Sequence, residues 1–165
     1  MFKNVVIFTV IEIVTLIVWR ALVGAGASAY VAAGILLGGL IAEHIVSSRA
    51  RRGDVRVLPV LTIAGVEAAT WIVWLALTAT SPAAAVALLI SGLHIGHVLE
   101  TNYLSRRGLF AKFGDGLQDP ITGLVSVIET IAGVLWVAFP SGPAILSGGL
   151  LIEHTIATFG RRKNA

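Results

Sequence analysis

Val10-Ile11-Glu12-Ile13 sets a carboxylate inside an apolar run, and Trp19 follows seven residues later. A break at Gly24-Ala25-Gly26 leads into a second apolar run that ends Gly38-Gly39-Leu40-Ile41-Ala42-Glu43-His44. The same order of features recurs twice. Glu67 precedes Trp74, a break at Thr80-Ser81-Pro82, and Ser91-Gly92-Leu93-His94-Ile95-Gly96-His97. Glu129 precedes Trp136, a break at Pro140-Ser141-Gly142-Pro143, and Gly148-Gly149-Leu150-Leu151-Ile152-Glu153-His154. An internal repeat of this length predicts one supersecondary unit used three times.

Composition decides the solvent. Of 165 residues 56% are hydrophobic and 13% charged, too few charges to cover a water-soluble domain of this size. Six apolar runs of about 17–22 residues can each cross roughly 30 Å of hydrocarbon. The sequence therefore predicts an all-α integral membrane protein with six transmembrane helices. Very short outer turns pair each odd helix with the even helix after it, giving three antiparallel two-helix hairpins around a pseudo-threefold axis. The three units cover about residues 2–48, 57–105 and 120–160 of one transmembrane domain. Glu12 and Trp19 match the later copies, so the first run is read as part of the fold and not as a cleaved signal peptide.

The net charge of +3 is explained by topology, and no nucleic-acid partner is expected. Lys3, Arg49, Arg51, Arg52, Arg56, Arg106, Arg107, Lys112, Arg161, Arg162 and Lys163 fall on one side of six alternating runs, with Arg20 alone towards the other. That bias predicts a plasma or inner membrane with both termini in the cytoplasm. Leu109, Phe110 and Phe113 among basic residues suggest a loop lying on the membrane surface. Small residues six and ten positions before each histidine (Gly38 and Gly34, Ser91 and Ala87, Gly148 and Ala144) predict close helix contacts. Trp19, Trp74 and Trp136 read as interfacial or core anchors.

The chemistry lies in the ionisable residues. Glu12, Glu67 and Glu129 fall roughly 14 Å from the predicted cytoplasmic ends at 1.5 Å per residue, and His44, His97 and His154 roughly 6–12 Å. Each glutamate is expected to meet the histidine of its own hairpin. Glu43, Glu100, Glu153 and His94 are secondary candidates, with His94, His97 and Glu100 on one helical face. Buried carboxylates must be protonated, paired with imidazolium or neutralised by a cation. The leading expectation is a protein that binds or transports a cation, proton or divalent metal, through this layer. The ligand types suit Zn, Fe or Mn, and a haem held by histidine is a lesser alternative. The rivals are a membrane-embedded metal- or haem-dependent enzyme or redox subunit acting on a lipid-soluble substrate, and a non-catalytic membrane partner subunit; the partners expected are the lipid bilayer, a small cation or lipid-soluble ligand, and a homo-oligomer or larger membrane complex. P-loop, Gly-x-Ser-x-Gly, His-Glu-x-x-His and Cys-x-x-Cys motifs are absent, and with no cysteine no thiolate chemistry is available.

Overall fold

The computed structural model describes residues 2–106, 108–111 and 113–160, so Arg107, Lys112 and the terminal basic cluster Arg161, Arg162 and Lys163 lie outside the described residues. Among the described residues all regular structure is helical. The elements are α1 (Phe2–Gly24), α2 (Ala29–Arg51), α3 (Val57–Thr78), α4 (Pro82–Leu104), the short α5 (Phe113–Leu117), α6 (Pro120–Ala138) and α7 (Gly142–Phe159). Among the described residues five of them, α1 to α4 and α6, are long and apolar enough to cross a membrane. α7 has 18 residues and falls outside that set.

The helix starts follow local chemistry. Ser28 caps α2 by accepting from Val31 N, and Asp119 caps α6 by accepting from Thr122 N at 2.9 Å. Pro82, Pro120 and Pro143 sit in first turns, where the missing N–H has no intrahelical partner to lose. Ser81, at the N-cap of α4, makes no side-chain cap bond.

The most extensive helix contacts are α1 with α2, α3 with α4, and α6 with α7. Contacts of α2 with α3, α4 with α6, and α7 with α1 then close a ring of six helices. Its exterior is apolar: Val10, Val14, Val31, Ile131 and Ile152 are exposed. Its interior divides in two. Towards the short turns it holds Trp19, Trp71, Trp74, Trp136 and the fully buried leucines Leu16, Leu36, Leu89 and Leu146. The anchoring tryptophans are thus core residues.

The close approach inside each pair falls one residue from the expected stripe. A Cβ on Gly39 would overlap Thr15, one on Gly92 would overlap Thr70, and one on Gly149 would overlap Ala132. Gly34, Gly38 and Gly148 face open space instead. These glycines are therefore on the outside of the ring, a consequence of helix rotation. The loop after α4 also differs from expectation. Leu109 and Phe113 pack on a second core of Val60, Ile63, Leu99 and Tyr103, while Phe110 stays exposed.

Candidate functional site: a buried glutamate–histidine layer

One turn from the tryptophans, the interior becomes ionisable. The six primary sequence candidates converge there: Glu12, Glu67 and Glu129 from α1, α3 and α6, and His44, His97 and His154 from α2, α4 and α7. Glu43, Glu100 and Glu153 join them around one small cavity. All nine side chains come from residues that are buried. The cavity gives a water molecule's centre about 10 Å³ of room, which is close to the space one water needs.

The pairing differs from the expectation in one respect. Each histidine reaches the glutamate of the next helix pair, and not that of its own. His44 Nε2 is 2.8 Å from Glu67 Oε2, and His97 Nε2 is 2.9 Å from Glu129 Oε2. His154 Nε2 is 3.4 Å from Glu12 Oε2, which brings the sequence of links back to its start. The links therefore cross the seams α2–α3, α4–α6 and α7–α1, between the helix pairs and not within them. Rotation explains this: Gly39, Gly92 and Gly149 take the face of these helices towards their own partners, and each histidine lies five residues further on, about 140° round the helix.

The secondary candidates divide. Glu43 Oε2 lies 2.8 Å from His44 Nδ1, so His44 bridges two carboxylates. Glu153 Oε2 lies 3.3 Å from His154 Nε2. At the matching place before His97 stands Gly96, and the side chain of Glu67 occupies the space a Cβ would need. His94 is not part of the layer. Its Nδ1 is 3.2 Å from Ser126 Oγ and its Nε2 is 3.0 Å from Leu117 O, tying α4 to α6 and the end of α5. Three-residue steps put His94 and Glu100 about 60° to opposite sides of His97, so with Glu100 turned into the layer His94 faces α6 instead.

Sequence reasoning missed Arg51. α2 continues through it, and its side chain is only 10% exposed. Nη1 donates to Glu100 Oε1 at 2.9 Å and Nη2 to Thr158 Oγ1 at 2.9 Å. The guanidinium also stands 5.1 Å from the centre of the Phe8 ring. Arg51 was expected to be a topological charge at a loop. Its helical position seven residues after His44, two turns along the same face, was the available signal. Arg52 is similarly engaged, donating to Asp54 and to Tyr103 O.

The charges of the layer do not balance by ion pairing. Six carboxylates face three imidazoles and Arg51. With every histidine protonated, six negative charges would meet four positive ones. An apolar surround penalises such an excess strongly, so the layer must hold further protons or a cation. Among the described residues no group of three or more His, Cys, Asp or Glu is arranged to hold a metal ion. No known protein family matches the chain, and no curated protein or solved structure does either.

Proposed function

We propose that this is a small polytopic membrane protein that binds protons in its Glu–His layer and passes them to or across the membrane. In this reading α7 is a sixth span, since 18 residues reach about 27 Å, near the lower limit for crossing. The three helix pairs are three copies of one hairpin around a pseudo-threefold axis, as the recurring sequence implies. The basic residues face the cytoplasm of a plasma or inner membrane, with both termini on that side.

The observation that carries the reading is the excess of carboxylates over cations in a buried layer linked by three His–Glu contacts. Ionisable groups inside a membrane domain are costly and mark proton or ion pathways. The cavity favours a proton over the other ligands. Room for roughly one water does not admit a hydrated divalent ion or a lipid-soluble substrate. Apolar side chains fill the tryptophan half, so transport through it requires that half to open.

Reconstitution into liposomes with a pH-sensitive dye inside tests the reading. A pH gradient should drive proton entry, and Glu67→Gln should reduce it while the helical spectrum is retained. Glutamine keeps the shape and loses the proton site. Wild-type vesicles as tight as protein-free ones, together with stoichiometric metal in elemental analysis, would replace this reading by a metal site.

A further inference from the structure

We propose that the layer takes up its proton at one seam, between α1 and α7, with Glu12 and Glu153 as acceptors across His154 and Arg51 as the latch above them. This rests on the proton-binding reading and names the place of exchange.

The three seams are unequal. At the other two, the glutamate oxygen facing the histidine is hydrogen-bonded, to His44 at 2.8 Å and to His97 at 2.9 Å. At this seam Glu12 Oε2 is buried with no hydrogen-bond partner. The Glu12 side chain is 8% exposed and points at His154 from 3.4 Å. A buried carboxylate oxygen without a donor is expensive, and a proton placed between it and its neighbours removes that cost.

Thr9 determines which atom must accept that proton. Its hydroxyl donates to Val5 O at 2.7 Å, so towards His154 Nδ1, 2.9 Å away, it can only accept. Nδ1 therefore carries hydrogen. In neutral imidazole Nε2 is then a lone pair. That lone pair faces Glu12 Oε2 at 3.4 Å and Glu153 Oε2 at 3.3 Å, three acceptors with no hydrogen between them. At least one proton has to reside there, on Nε2 or on either carboxyl. The matching position to Thr9 in α3 is Ala64, which has no hydroxyl, and Ser126 in α6 is engaged with His94.

Arg51 closes the same seam. It spans from Glu100 of α4 to Thr158 of α7 and covers the Phe8 ring of α1. Phe8 in turn meets the His154 ring edge-on, with centroids 4.9 Å apart. Swinging the guanidinium away opens a path from the loop end of the bundle to His154. A hydronium arriving there gives its proton to the Glu12–Glu153–His154 group and leaves as water.

Infrared difference spectroscopy of the purified protein on a pH step tests this without relying on flux. The carboxyl band that appears on acidification should change in Glu12→Gln, vanish when Glu12→Gln and Glu153→Gln are combined, and persist in Glu67→Gln and Glu129→Gln. Thr9→Val, which preserves shape, should shift that band by releasing the histidine tautomer, and this variant serves if Glu12→Gln does not fold. Arg51→Gln should speed proton exchange with solvent relative to the wild type. A band that survives the loss of both Glu12 and Glu153, or one unmoved by Thr9→Val, overturns the assignment. Absence of proton flux in wild-type vesicles would instead overturn the functional reading and leave the infrared result to decide the site.

Discussion

The axis of the bundle is filled by opposite means on its two sides. On one, Trp71, Trp74 and Trp136 meet edge to face, with ring centroids 5.3 and 6.4 Å from Trp71. On the other, one turn away along α3, carboxylates and imidazoles share a void of one water. The apolar side settles its asymmetry by volume. Four residues after the three recurring glutamates stand Leu16, Trp71 and Gly133. A Cβ on Gly133 would lie 2.7 Å from Trp71 Cη2, so the largest side chain is accommodated by the smallest. The ionisable side settles its asymmetry by charge: where Gly96 replaces a glutamate, Glu100 enters one turn later and is held by Arg51. Packing tolerates one arrangement there, whereas protons can redistribute among the nine side chains.

The sharpest way to break this comparison is His44→Leu. It leaves Glu43 Oε2 and Glu67 Oε2 without their donor in a buried site. Removing one partner of a buried pair costs about 3–5 kcal/mol. Thermal unfolding in detergent, followed by circular dichroism, should show this as the largest loss of any single change argued here. An unchanged melting temperature would mean that the two carboxyls satisfy each other, and the layer would then resemble the apolar side in being closed to exchange.

The apolar side is probed by exchanging its complementary pair. Trp71→Leu should cost about 3 kcal/mol, the low end for a large aromatic truncation, because lipid is as apolar as the core it replaces and mainly the cavity counts. Gly133→Leu alone should clash with Trp71. Together the two changes rebuild the smaller residue found at Leu16, and the double variant should lose less than the sum of the two single losses by about 0.5–3 kcal/mol. Strict additivity in the same unfolding assay would remove the claim that Trp71 and Gly133 compensate each other.

The common level of the six primary candidates along the helices was legible in the sequence. Glu12, Glu67, Glu129, His44, His97 and His154 meet where residue counting put them, because rise per residue is constant in a helix. Rotation was not legible. The choice of partner across a seam depends on which face each helix turns inward, and apolar residues lie on both faces of a helix with lipid outside. His94 and the pairing of each histidine were misjudged for that reason. Arg51 was hidden by a different cause: a long side chain on the last turn of α2 reaches back into the bundle, while the number of basic residues at a loop says nothing about reach. The pair of Trp71 and Gly133 left a signal that only alignment of the three recurring stretches reveals.

The smallest expected effect separates neighbouring glycines. Gly39 is pressed against Thr15, whose branched side chain is fixed by its own bond to Ile11 O at 2.7 Å and has little freedom to move aside. Gly39→Ala should therefore cost about 1–3 kcal/mol through overpacking. Gly38 has nothing within 4 Å of an added Cβ. Alanine there meets no obstacle and restores helix propensity, so Gly38→Ala should be neutral or stabilise by up to about 1 kcal/mol. The two variants differ by one methyl group on adjacent residues, so a common effect of detergent or expression cancels between them. If Gly38→Ala proves as damaging as Gly39→Ala, and the loss grows when protein is diluted in detergent, the outward glycines pack against a second copy of the chain. The bundle would then be completed by a neighbour. If only Gly39→Ala is damaging, the close contacts of the ring all lie inside each helix pair, and the layer beneath them is framed by a single chain.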